Sequence, residues 1–238
     1  MTPLLEVESV QAGYDTLPVL FGIDLLIKPG EAVTLLGRNG MGKTTTIRSI
    51  MGLTRARAGA IRFGGEEVRE LPSYRIAKLG VGLVPEGRQI FPNLTVRENL
   101  VAAAADRFDS ANPWTLAAIY VQFPRLAERA ANMGNQLSGG EQQMLAIARA
   151  LMTNPSVLLM DEPTEGLAPV IVQSLVQVLS RLRAAGGLSI LLVEQNSRVA
   201  LEFSTRTVVM DKGRIAYDGA SERLRSDPEY LASLVAAQ

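Results

Sequence analysis

Histidine and cysteine are both absent from the 238 residues of this chain. Without histidine there is no imidazole acid, base or metal ligand. Without cysteine there is no disulfide framework, thiol nucleophile or zinc–thiolate site, which agrees with a reducing compartment. Net charge is absent too: Lys plus Arg and Asp plus Glu each total 24. No overall positive field exists to hold a polyanion, so nucleic acid is not an expected partner and only a local basic patch would serve one. No apolar run approaches the roughly 18 to 20 residues that a spanning helix needs. The first residues, MTPLLEVESVQAGY, mix acids among apolar positions and lack a basic leader, so no signal peptide is expected. Work at a membrane would therefore proceed by docking onto a protein that spans it. Catalysis is left to carboxylates, backbone amides and lysine.

A hydrophobic content of 47% over 238 residues suffices for one sizeable buried core. Short strand-like runs open the chain at Leu5 to Ser9, Ile23 to Ile27 and Ala32 to Leu36. A helix is expected over Thr46 to Met51, ending at Gly52. From about Thr95 to Met152 the pattern turns helical and reads as an insertion into the core. Strands resume at Val157 to Met160, Ser189 to Val193, Thr207 to Met210 and Arg214 to Tyr217. Helices are expected around Val170 to Arg183 and Ser197 to Phe203, followed by a short amphipathic tail. No internal repeat, long linker or low-complexity segment suggests a second module.

Three motifs carry chemistry. Gly37-Arg38-Asn39-Gly40-Met41-Gly42-Lys43-Thr44 matches the phosphate loop G-x-x-x-x-G-K-[ST], and Thr45 follows at the start of the helix. Glycines let successive N–H groups wrap a phosphate, and the helix N-terminus adds a favourable dipole. Lys43 is expected on the β and γ phosphates, and the Thr44 hydroxyl on magnesium. The second motif, Ser156-Val157-Leu158-Leu159-Met160-Asp161-Glu162, is an apolar strand ending in two acids. Such a pair often only caps a loop, but beside a phosphate loop it reads as a magnesium ligand, Asp161, and a general base for water, Glu162. The third, Leu137-Ser138-Gly139-Gly140-Glu141-Gln142-Gln143, is a second glycine-rich helix start.

With GRNGMGKT, LLMDEP and LSGGEQQ in this order, nearly the whole chain resembles the ATP-binding cassette (ABC) family, the nucleotide-hydrolysing subunits of membrane transporters. That resemblance implies an α/β fold: a P-loop NTPase core with a mixed sheet, an antiparallel β subdomain and a helical subdomain. It implies one domain over 1–238, with the core at about 1–90 and 153–238 and the helical part at about 91–152. ATP and Mg2+ are the implied cofactors. Ser138, Gly139 and Gly140 would close over ATP held by a second ATPase subunit, identical or different, giving a dimer with two shared sites.

The resemblance also assigns Tyr14 to stacking on adenine, although a lone tyrosine in a strand–turn segment serves packing as readily. Three positions depart from the family pattern. Glu86, in Val84-Pro85-Glu86-Gly87-Arg88, stands where a glutamine is usual; it is expected to approach magnesium through water, or else to be a solvated loop acid. Gln195 replaces the switch histidine; its amide can bond a phosphate oxygen or water but cannot change charge near neutral pH, and a plain strand-end role stays open. Ala168 stands where an aspartate is frequent.

The segments VPEGRQIF, NLTVRENL, TEGLAP and LLVEQN resemble one branch, the ATPases of importers for branched-chain and other hydrophobic amino acids, with near relatives for urea and short amides. Implied partners are transmembrane permease subunits and, indirectly, a periplasmic solute-binding protein; the implied location is the cytoplasmic face of a bacterial inner membrane. A binding-only regulatory cassette and an exporter subunit are the competing readings. Glu162→Gln is expected to keep ATP binding while slowing turnover by on the order of a hundredfold or more, measured by steady-state phosphate release; undiminished hydrolysis would refute the assignment.

Overall fold

A computed structural model describes residues 2–107, 112–184 and 186–235. Two sheets organise them. Strands β1 (Leu5–Tyr14), β2 (Leu17–Ile27), β4 (Ala56–Phe63) and the short β5 (Glu66–Glu67) form an antiparallel sheet in the order β2-β1-β4-β5. Strands β3 (Ala32–Leu36), β6 (Val81–Val84), β7 (Val157–Asp161), β8 (Ser189–Glu194), β9 (Arg206–Asp211) and β10 (Arg214–Ala220) form a mixed sheet in the order β10-β9-β3-β8-β7-β6. All its neighbours are parallel except β10, which returns antiparallel along β9.

The parallel strands are apolar along their length because both faces of the sheet are covered. Every residue of β3, β7 and β8 is buried. Successive side chains point to opposite faces, and two cores result. Val157 and Leu159 of β7, with Leu191 and Val193 of β8, join the core shared with the antiparallel sheet and Ile47 and Ile50 of helix α1 (Lys43–Ile50). Leu158, Met160, Ile190 and Leu192 face the other way, onto a core with helices α3 (Val96–Ala103), α6 (Gly139–Leu151) and α7 (Pro169–Ala184). Helix α2 (Ser73–Lys78) precedes β6, α4 (Leu116–Gln122) and α5 (Pro124–Glu128) lie between α3 and α6, and α8 (Ser197–Phe203) follows β8. Helices α9 (Ser221–Ser226) and α10 (Pro228–Val235) end the described chain, with the Tyr217 and Tyr230 rings edge to face at 6.1 Å.

Among the described residues the expected helical stretch comprises four helices and one 3-10 turn, divided by local chemistry. Thr95 and Ser138 each open a helix with a reciprocal capping box, to Glu98 and Glu141, and Pro124 occupies the first position of α5. Residues 108–111 of that stretch, and 236–238 of the tail, lie outside the described residues. Elsewhere the boundaries move: β1 runs on to Tyr14, β2 starts at Leu17 and α1 starts at Lys43. Between Gly52 and Val84 the sequence reading names no element, yet β4, β5, α2 and β6 lie there.

Four loops leave the same edge of the mixed sheet, at the C-terminal ends of β3, β6, β7 and β8, the edge at which open α/β sheets bind ligands. Leu159→Ala, at a fully buried central-strand position, is expected to cost about 2–5 kcal/mol in urea unfolding; a loss well under 1 kcal/mol would contradict the packing described.

Candidate nucleotide site

The phosphate loop runs from the end of β3 into α1. Gly42 has φ +99°, a conformation that favours glycine, and a Cβ there would also press on Leu20 Cδ2 at 2.8 Å. No side chain caps the start of α1, which leaves its first N–H groups available to an anion. Asn39, Gly40, Gly42, Lys43, Thr44 and Thr45 line a cleft of about 340 Å³. Gly37, Arg38 and Met41 belong to the same loop but do not line the cleft; they anchor the loop, Gly37 N donating to the Glu194 carbonyl at 3.3 Å, the Met41 carbonyl accepting from Gly213 N at 3.0 Å and the Arg38 carbonyl accepting from Lys43.

Lys43 is 3% exposed and doubly engaged. Its Nζ donates to the Arg38 carbonyl at 2.9 Å and lies 2.9 Å from Glu162 Oε1. Glu162 follows β7 with φ +46°, a left-handed conformation unusual for a non-glycine residue, and its side chain lines the same cleft. The amide of Glu162 is held by the Val193 carbonyl at 3.0 Å, which fixes this bend against β8.

Asp161, at the end of β7, accepts a hydrogen bond from the Thr44 hydroxyl at 3.1 Å. Burial pushes its carboxyl up to about 6, with the negative charges of Glu162 and Glu86 adding to the rise and the Thr44 bond and Lys43 opposing it. A nearby cation would reverse that effect. Thr44, Asp161 and Glu86 also line an adjoining cavity of about 400 Å³. They are a small set of oxygen donors, suited to a hard cation that keeps several waters. Among the described residues no group of three or more acids is arranged to hold a metal alone. The donor set therefore fits an ion that arrives with phosphate oxygens.

At the other end of the cleft Tyr14 is half exposed, with its hydroxyl 3.3 Å from Thr45 Oγ1. Val19, Glu86 and Glu165 complete the lining. Burial raises the Glu165 carboxyl above its usual range, and the charges of Glu86 and Glu162 add to the rise. Ser138, Gly139 and Gly140 are elsewhere. Ser138 caps α6, exchanging bonds with Glu141, and Gly140 packs on α7, where a Cβ would meet Ile171 Cγ2 at 2.6 Å. Ser138 and Gly140 line a separate groove of about 360 Å³ with Phe123, Met144 and Ile171.

The family model for ABC transporters matches residues 20–165 of the chain. The branched-chain amino acid transport ATP-binding protein BraG of Pseudomonas aeruginosa is 39% identical over 95% of this chain and 97% of its own length. The probable branched-chain amino acid transport ATP-binding protein LivF of Archaeoglobus fulgidus is 38% identical over 93% and 94%. A solved ATP-binding subunit of an ABC transporter superposes with a TM-score of 0.80 at 29% identity, covering 99% of this chain and 95% of that one. The chain belongs to the ABC transporter family, as one of its ATPases.

Within this ABC ATPase the structure brings Tyr14, Lys43, Thr44, Thr45, Glu86 and Glu162 into one cleft, with Asp161 bonded to Thr44 behind it. It does not bring Gln195 there: the residue follows β8 and is exposed. Ala168 is exposed just before α7. Sequence reasoning passes over Glu194, which is 2% exposed and accepts from the Thr164 hydroxyl at 2.8 Å. An acid closing an otherwise apolar strand, LLVE, is the signal that marks it.

Burial raises the Glu194 carboxyl to about 6 against the bonds from Thr164 and Asn196. Its folded value exceeds the unfolded value of 4.5, so protonation favours the folded state. That stability is fully present below about 4.5 and is lost as pH rises through about 6, a change of about 2 kcal/mol. Glu194→Gln cannot titrate. The gap in unfolding free energy between variant and wild type is expected to shift by about this amount between pH 4.5 and 7.5, read by urea unfolding; a constant gap would refute it.

Proposed function

We propose that this ABC ATPase is the nucleotide-hydrolysing subunit of an importer for branched-chain or other hydrophobic amino acids. The observation that carries hydrolysis is the meeting of Lys43, Thr44 and Glu162 in one cleft opened by uncapped helix N–H groups, with Asp161 bonded to Thr44 behind it. The names of BraG and LivF support the substrate class.

The Tyr14 ring takes the adenine face and the loop amides take the phosphates. A γ phosphate competes with Glu162 for Lys43; when the lysine turns to phosphate, Glu162 is released to accept a hydrogen bond from water. The water oxygen attacks the γ phosphorus as the bond to the β–γ bridging oxygen breaks. The proton of the water passes to Glu162, and the bond electrons leave with ADP. Thr44 and Asp161, with Glu86 at the edge, would hold Mg2+, which supplies positive charge against the phosphate oxygens. That charge is needed, since Glu86, Glu162 and Glu165 line a cleft with one lysine.

Ser138 to Gly140 lie outside the chain's own cleft, which supports their closing a partner's cleft in a dimer of identical or different ATPases. We assign 1–238 as one domain, with the core at about 1–90 and 153–238 and a helical subdomain at about 91–152. Permease subunits dock beside it on the cytoplasmic face of the bacterial inner membrane, served outside by a periplasmic solute-binding protein. Among the described residues no helix is long and apolar enough to cross a membrane. The docking surface is the loop after β6. Phe91 is exposed, its backbone is held on both sides by Asn99 at 2.9 Å, and the Arg149 guanidinium lies 4.3 Å over its ring.

A binding-only regulatory cassette is the second reading, favoured by Lys43 occupying Glu162 and by Gln195 standing outside the cleft. Phosphate release with magnesium and ATP, with and without membrane subunits, separates the two: steady turnover supports hydrolysis, and saturable binding without turnover in both settings supports regulation. In reconstituted vesicles Arg88→Ala with Phe91→Ala is expected to cut substrate uptake at least about tenfold while basal hydrolysis stays within about threefold. Undiminished uptake would remove the docking assignment.

A further inference from the structure

Glu194 is the buried junction of the nucleotide site. It ends β8 at 2% exposure, and three separate loops meet on it. One carboxylate oxygen accepts from the Thr164 hydroxyl at 2.8 Å, two residues beyond Glu162 in the loop after β7. The other lies 3.5 Å from the Asn196 amide, in the turn that presents Gln195. Its backbone carbonyl accepts from Gly37 at the head of the phosphate loop. One residue earlier, the Val193 carbonyl holds the Glu162 amide. Glu194 itself does not line the cleft.

A carboxylate is costly to bury, and packing alone would be served better by an apolar or neutral side chain. What a side-chain oxygen adds here is an acceptor for a hydroxyl on the loop of the general base. We propose that Glu194 is a positioning residue for ATP hydrolysis: its buried carboxylate holds Thr164, and through Thr164 the loop carrying Glu162, in register with the phosphate loop and the Gln195 turn. The substrate never touches Glu194. Its loss therefore acts on the placement of Glu162, which matters in the transition state, and leaves the phosphate-binding amides in place.

This inference rests on the hydrolytic reading above. The experiment measures kcat and KM for magnesium ATP in purified protein. Glu194→Ala is expected to lower kcat about tenfold or more with KM within about threefold. Glu194→Gln keeps an oxygen acceptor for the Thr164 hydroxyl and is expected to recover kcat to within about threefold of wild type. Thr164→Val, nearly the same shape without the hydroxyl, should reproduce the Glu194→Ala loss even if the alanine variant folds poorly. The double variant should be no worse than either single, because both remove one interaction. Undiminished kcat in Thr164→Val overturns the proposal, as do losses that multiply in the double variant or a KM that rises in step with the fall in kcat. A wild type with no hydrolysis would instead sink the hydrolytic reading.

Discussion

Parallel strands covered on both faces release their loops at one edge, and every charged group of the site depends on that delivery. The order β3-β8-β7-β6 sets the phosphate loop beside Glu194, Glu194 beside the Asp161–Glu162 bend, and that bend beside Glu86. None of these residues is close to all the others in sequence. The register does the assembly: Leu36 lies opposite Glu194, and Asp161 opposite Val193, so strand ends are level to within one residue. A slip of one position would turn every side chain of a strand to the other core, where its volume and shape would not match the packing already there.

The electrostatic character of the edge follows. Acids outnumber the lysine in the cleft, and two of the carboxyls near it, Asp161 and Glu194, are pushed up to about 6 mainly by burial. Among the described residues neither is in an ion pair, and the buried Lys43 is taken by Glu162. An edge of this kind is poorly matched to an empty state and well matched to a phosphate chain that brings a cation. The strained φ of Glu162 belongs to the same account, because a left-handed bend directs a side chain toward the cleft that an extended continuation of β7 would carry past it.

Much of this was legible in residue order, for physical reasons. GRNGMGKT after a buried strand has few other uses, and LLMDE needs both its apolar run and its terminal acids. The segment 53–84 was not legible because its elements lack strong periodicity: β4 carries Arg57, Gly59 and Arg62 among its apolar residues, and α2 has one buried residue, Ile76. Gln195 drew attention by what it replaces, while Glu194 beside it holds the tertiary contacts. Pairing across strands, which no local pattern encodes, made that difference. The engagement of Lys43 by Glu162 was likewise invisible, since 119 positions separate two residues that each match a phosphate-handling role of their own.

The loop after β6 connects the cleft to the helices. Glu86 lines the nucleotide cleft, and two residues on Arg88 donates to Gln142 at 3.3 Å, on the helix that Ser138 caps. Gln89 is held through its carbonyl by Arg149 of the same helix at 2.7 Å, and Arg149 in turn covers Phe91. Arg88 and Gln89 both have positive φ, at +66° and +46°. A non-glycine pair in that conformation persists only when its surroundings impose it, here through bonds to α6. A ligand bound beside Glu86 therefore acts on a segment that is already strained and tied to α6 at two points. Displacement of that segment would carry Phe91 and the start of α6 together, which is the mechanical link that the proposed coupling between the cleft and partner subunits requires.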